Sequence, residues 1–247
     1  MRRFFLSFFI LSSLHLSAQE YNGTTGLMHI PTAETDSAGT FRGGGMFINK
    51  RFTPNQLVRN GAKYNTFTYY IGITMWSWLE LSYAAALLKM NKSNDPNEPM
   101  GYYNEDRRVN VKLRPLKEGR WWPAIAIGCD DVGRFERIKT QQLGNNYFQN
   151  FYIAGSKHLD LKGNELGIHL LYRYYSQDMN RTRRGIAGGV SFRPQFYRDM
   201  QLMAEWDGEC INVGADVLLW RHLYIQVGLT NAKYFVGGVS YHHRIAF

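Results

Sequence analysis

Glu205, Asp207 and Asp216 are three carboxyls on the polar faces of two successive segments, with Leu202, Ala204 and Trp206 alternating against the first two. Carboxyls gathered in this way are what general acid/base work on a glycosidic bond uses. They are equally the charge that a polar, water-lined interior needs. A second set is basic. Arg108, Lys112 and Arg114 form a ladder opposite Val109, Val111 and Leu113, and Lys157, Arg173 and Arg193 join it. Such a ladder either attracts an acidic glycan or pairs internally with the carboxylates. Arg181, Arg183 and Arg184 stand apart in the polar run SQDMNRTRR. There an exposed basic cluster suits phosphate-bearing lipopolysaccharide, or is a solvated loop.

Other chemistries find less support. The seven histidines include no HxH or HExxH, and adjacent His242 and His243 point to opposite faces of a strand, so no metal site is expected. Ser156 and Ser191 lack a GxSxG elbow, although a lipid-modifying barrel hydrolase assembles Ser and His from separate strands. No cofactor is expected. Cys129 and Cys210 are too far apart in sequence for a metal-ligand spacing and read as unpaired small hydrophobes, with a single long-range bridge as the alternative.

The elements that position these residues follow from a period of two. Twelve segments alternate, at 40–49, 65–74, 78–88, 108–114, 125–130, 151–156, 166–174, 185–193, 201–207, 211–220, 223–229 and 235–247. Residues 24–30 are either a thirteenth strand or a plug-like tail. One face of each segment is oily and the other small, charged or hydroxylated, which suits a wall between hydrocarbon and a watery interior. Long connections at 51–63, 89–105, 132–148 and 176–184 alternate with short ones at 75–77, 115–121, 158–163 and 194–199. The short connections at 208–210 and 230–234 depart from that rule. An even strand count with this alternation predicts an all-β, transmembrane antiparallel β-barrel of the outer-membrane type, with both termini periplasmic. The last segment ends on Phe247, in line with Ile245, Tyr241 and Val239, like the terminal aromatic read by outer-membrane assembly machinery.

The 247 residues carry a formal charge of +9, and aromatics make up 15%. Mean hydropathy is −0.36, as a barrel with half its strand residues facing water permits. Arg2 and Arg3, the run FFLSFFILSSLHL and LSA before Gln19 read as a signal peptide over residues 1–18. Its removal lowers the charge to +7, and no Cys follows for a lipid anchor. Residues 19–39 then form a periplasmic N-terminal segment and 40–247 the barrel. A pI near 9.5 invites a nucleic-acid reading, which the signal peptide and the scattered basic residues oppose.

Beyond these patterns, GLMHIPTAETDSAGTF, VNVKLRPLKEGRWWPAIAIGCDDVGRF with the later YIAGSK, GIAGGVSFRP and AEWDGECINVGADV occur in order across nearly the whole mature chain. In this it resembles the YjbH-type exopolysaccharide-biosynthesis family of Gram-negative outer-membrane proteins. Members of that family are longer, long enough for two barrels or a barrel plus extra domains, whereas this chain fits one barrel. The resemblance implies an outer-membrane role in making or exporting surface polysaccharide, and brings no catalytic residues. The expected function is a non-enzymatic passage or docking component. Its partners would be outer-membrane lipid, acidic polysaccharide and periplasmic polysaccharide-export proteins. A lipid- or glycan-modifying enzyme and a generic porin or adhesin are the alternatives.

Overall fold

The computed structural model describes residues 18–52, 63–90, 97, 99–132, 149–175 and 183–245. Twelve antiparallel strands close into one barrel. In chain order these are β1 (Thr40–Ile48), β2 (Thr66–Trp76), β3 (Leu79–Met90), β4 (Gly101–Leu116), β5 (Ala124–Asp130) and β6 (Asn150–Leu161). They continue as β7 (Asn164–Tyr175), β8 (Gly185–Arg193), β9 (Met200–Trp206), β10 (Ile211–Leu219), β11 (Leu223–Thr230) and β12 (Tyr234–Arg244). β1 seals the cylinder against β12, from Thr40 opposite Arg244 to Phe47 opposite Gly237. Closure leaves no open sheet edge, as a wall standing in hydrocarbon requires.

These are the twelve strands that the alternation predicts. β4 is longer than expected and starts inside the run read as a loop. Its ladder with β3 continues through Lys89 opposite Tyr102, beyond a register shift between Ala84 and Ala86. The run 1–17 of the signal peptide, Arg181 and Phe247 lie outside the described residues.

The outer surface sorts by height. Ile71, Val109, Ile127, Ile153, Ile168, Leu170, Ile186, Val213 and Val239 are exposed along the middle of the strands. Trp76, Trp78, Trp121, Trp122, Phe196, Tyr197 and Trp220 are exposed at the end carrying the short turns. Phe67, Tyr102, Phe151, Tyr174, Trp206 and Phe235 are exposed at the other end. An aliphatic belt between two aromatic girdles is the surface of a transmembrane β-barrel, because indole and phenol rings settle at the two membrane–water boundaries.

The inside is filled. Residues 18–36, which comprise the last residue of the expected signal peptide and most of the 19–39 segment expected in the periplasm, with 24–30 as a strand or a plug-like tail, lie within the barrel. Leu27, Met28, Ile30 and Ala33 are buried in the same cluster as Ala124, Ala126, Ala154, Leu171, Ala187 and Met203 of the wall. The wall makes room for them. A Cβ on Gly214 or on Gly228 would stand within 2.5 Å of Met28 Sδ or 2.6 Å of Met28 Cε, so only glycine leaves a socket for that side chain. Burying Leu27, Met28 and Ile30 contributes about 1.5–3 kcal/mol each relative to exposure. That is the physical reason the segment goes inward.

Candidate functional site

An irregular segment inside a barrel must find a partner for each backbone amide that water no longer serves. Tight turns meet part of the need: Glu20 N–H donates to Thr24 O, Gly26 N–H to Ala18 O and Leu27 N–H to Ile30 O. Inward side chains of the wall meet much of the rest. Glu80 accepts from Thr25 N at 3.1 Å and from Asp36 N at 3.1 Å. Glu205 accepts from Met28 N at 3.0 Å and His29 N at 2.9 Å, while Ser156 accepts from Ala33 N at 2.9 Å. Gln19 N–H reaches the Tyr224 hydroxyl at 3.0 Å, and Asn22 O takes Ser82 and Asn110. The polar lining is thus a set of docking points for residues 18–36.

The basic ladder belongs to the same scheme. Arg108 and Lys112 are buried on the inner face of β4. Arg108 Nε donates to Asn22 Oδ1 at 2.8 Å, and its guanidinium lies 5.8 Å from the Tyr21 ring centroid. Lys112 donates to Thr25 O at 2.7 Å and to Thr25 Oγ1, with Glu80 at 3.8 Å. Arg173 donates to His29 O at 3.2 Å and to Asp207 O at 2.7 Å. All three are covered by residues 18–36. Arg114 and Arg193 stand at the short-turn mouth, where Arg114 donates to Ser77 O at 2.6 Å and Arg193 pairs with Glu165 at 2.7 Å.

Lys157 departs from the inward ladder expected of it and borders the interior only at the mouth cavity, from the rim. It shares strand parity with outward Phe151 and Ile153, and its ammonium meets Glu118 at 2.9 Å on the rim. The carboxylates differ from one another. Glu205 is a plug anchor, and Asp207 accepts from Glu209 N and Cys210 N, closing the 207–210 turn. Arg183 leads the influences that outweigh burial and hold the Asp207 carboxyl below its ordinary range. Asp216 is buried beside the Tyr224 hydroxyl. Arg183 binds Glu209 at 2.9 Å, and Arg184 lies 4.9 Å from the Tyr174 ring centroid, at the long-loop end. Cys129 and Cys210 form no disulfide.

One group in the plug carries a pH-dependent cost. Burial, then the charge of Asp130, pushes the Glu20 carboxyl well above its ordinary value. Between the unfolded and folded pKa the native state holds a proton that the unfolded chain has lost, so stability falls as pH rises. Glu20→Gln keeps the contacts to Asn22 and Thr24, which lie 3.4 and 3.3 Å from the carboxyl, without that charge. The variant is expected to gain on the wild type as pH rises above the ordinary carboxylate value, by at most about 1.4 kcal/mol per pH unit, until the folded-state carboxyl itself ionises. Urea unfolding in micelles at pH 4, 5 and 6 measures the gap, and a constant gap would refute the assignment.

At the short-turn mouth Arg114 and Arg193 meet residues that the sequence reading does not single out, Glu34, Glu118, His158 and Glu165. A cavity of about 610 Å³ there is lined by Glu34, Arg114, Glu118, His158, Glu165 and Arg193 among others. His158 lies between two carboxylates, with Nδ1 2.6 Å from Glu118 and Nε2 3.1 Å from Glu34. Burial would raise the Glu34 carboxyl, but the His158 hydrogen bond and the Arg193 charge hold it well below the usual range. His169 spans two hydroxyls, Ser156 at Nδ1 (2.9 Å) and Ser191 at Nε2 (3.0 Å). Among the described residues both ring nitrogens of His169 meet hydroxyls and neither meets a carboxylate, and Ser156 is buried under the plug. Glu34, His158 and His169 each offer a ligand atom, all within 4.8 Å of one another. The inward parity of His169 was legible in the sequence, but its meeting with Glu34 was not.

Over residues 18–172 the sequence matches the family described as "Exopolysaccharide biosynthesis protein YbjH". No curated protein matches the chain. Among solved structures it is similar to outer membrane phospholipase A from Escherichia coli, at 11% identity over 85% of this chain and 98% of that one, with a TM-score of 0.36. The Salmonella typhi outer membrane phospholipase dimer with bound calcium is similar at 12% identity over 85% and 92%, with a TM-score of 0.35. Likenesses at that level carry nothing about chemistry.

Proposed function

Because the chain belongs to the YjbH exopolysaccharide biosynthesis family, we propose that it serves surface-polysaccharide production at the outer membrane as a non-enzymatic docking component. The observation that carries this reading is the occupied lumen. Residues 18–36 fill the barrel and are hydrogen-bonded to its wall from Gln19 to Asp36. A polymer passage would need those bonds broken before any sugar entered.

The same observation weighs against catalysis on a polymer, since Arg108, Lys112, Arg173 and Glu205 are sealed from solvent. What remains available is surface. Residues 1–18 direct the chain out of the cytoplasm, and the aliphatic belt sits in outer-membrane lipid. The short-turn end, with Arg114, Lys117, Glu118 and Arg120 around its mouth, faces the periplasm and receives polysaccharide-export proteins. Arg183 and Arg184 at the long-loop end are held close to Glu209 and Tyr174, near the level of lipopolysaccharide phosphates.

Two measurements test the reading together. Surface and secreted polysaccharide are quantified in a deletion strain and in that strain carrying the wild-type gene, and the purified wild-type barrel is placed in a planar bilayer. Docking predicts that polymer falls in the deletion strain, returns on complementation, and that the bilayer stays closed. Steady ion current through the wild-type protein would transfer the assignment to a passage. Unchanged polymer would remove both.

A further inference from the structure

The structure points to a binding site for a divalent d-block cation of the zinc class, formed by Glu34 of the plug with His158 of β6 and His169 of β7. The three ligand atoms lie within 4.8 Å of one another, a spacing that small side-chain movements close to metal bonds of about 2.0–2.2 Å. Two imidazoles and one carboxylate are a donor set that such ions take readily.

The surroundings add a second, independent argument. A metal-bound imidazole ordinarily directs its other ring nitrogen to a carboxylate or another hydrogen-bonding group, which fixes the ring and raises its basicity. His158 offers Nε2 toward Glu34 while its Nδ1 is held by Glu118 at 2.6 Å, and Glu118 is itself anchored by His158 N–H at 2.9 Å and Lys157 at 2.9 Å. His169 has Ser156 and Ser191 on its two nitrogens, so whichever nitrogen binds metal leaves the other held by a hydroxyl. Arg193 stands 3.9 Å from Glu34 but is turned toward Glu165 at 2.7 Å. The cluster borders the mouth cavity, which gives an ion a route in and a water its fourth position.

The consequence is mechanical. Glu34 belongs to residues 18–36 and both histidines to the wall, so a bound ion ties the plug to the barrel at the short-turn end. The site does not depend on whether the barrel docks partners or conducts.

The test uses the full chain in detergent micelles, stripped with a chelator and titrated with Zn²⁺ alone against a chromophoric competitor. One Zn²⁺ per chain at micromolar or tighter affinity is expected, with a rise in the urea midpoint. Glu118→Gln should weaken binding about 10–100-fold and His158→Ala with His169→Ala should abolish it. His243→Ala, at an exposed histidine on β12, should leave it unchanged. X-ray absorption of Zn²⁺ on the unaltered protein guards against a double variant that fails to fold, and should show imidazole nitrogens at about 2.0 Å. Substoichiometric binding, or binding that persists in the double variant, or a spectrum without imidazole would overturn the proposal.

Discussion

Glu80→Ala is expected to destabilise the barrel by about 3–5 kcal/mol. Glu80 Oε1 accepts from Arg42 at 3.2 Å, Asp36 N at 3.1 Å and Thr74 Oγ1 at 3.2 Å. Its Oε2 accepts from Thr25 N at 3.1 Å and Thr25 Oγ1 at 2.9 Å. Removing the carboxylate takes from buried Lys112 its carboxylate at 3.8 Å and from buried Arg42 one of its two carboxylate partners. It also strands the amides of Thr25 and Asp36, each worth about 1–3 kcal/mol when buried without a partner. Asp36 still pairs with Arg42 at 2.6 Å, so the barrel folds and the plug loosens. Urea unfolding in micelles reads the first effect. Cleavage by a glutamyl endoprotease at Glu20 and Glu34, both buried in the wild type, reads the second. A loss under about 1 kcal/mol with an uncut plug would show that Glu80 is not its anchor.

Deleting residues 19–36 is expected to turn a closed barrel into an open one. The strand ladder is continuous without them, since each strand pairs with two others around the closed sheet. The inward charges left behind regain water, which removes the need for their present partners. Inward Arg42, Arg108, Lys112, Arg173 and Arg193 then face Glu80, Asp130, Asp131, Glu165, Glu205, Asp207 and Asp216, so the open lumen should be mixed in charge with a mild preference for cations. In planar bilayers the deletion variant should carry steady current at voltages where the wild type is silent. A folded variant that stays closed would mean that something other than residues 18–36 obstructs the lumen. The same variant in the deletion strain separates two roles for the plug: polymer restored without it leaves docking to the barrel surface, and polymer lost makes the plug part of the docking machinery.

Much of this was legible in the residues. Arg108, Asn110 and Lys112 alternate with Val109 and Val111, and the structure turns the first set in and the second out. The inward placement of Glu205, Asp207, Asp216, His169 and Arg173 follows from the same rule. Lys157 shows the rule passed over, because the sequence reading groups it with the inward ladder although it shares parity with outward Phe151 and Ile153. The plug was open in the sequence as one of two readings of 24–30, and its fit to the wall was not visible. Met28 meets Gly214 and Gly228, and His29 meets Glu205, across separations that no local pattern spans.

Local chemistry therefore determined the strands, their two faces, the aromatic girdles and the closed topology, because side-chain alternation and turn length act between near neighbours in the chain. The tertiary structure alone decided what the inward charges do. Once residues 18–36 enter the barrel, their buried amides and carbonyls must be satisfied, and Glu80, Glu205, Lys112 and Arg173 are the groups in reach. The meeting of Glu34 with His158 and His169 has the same origin, set by how deep the plug sits and by the β6–β7 register that puts Ser156 opposite His169.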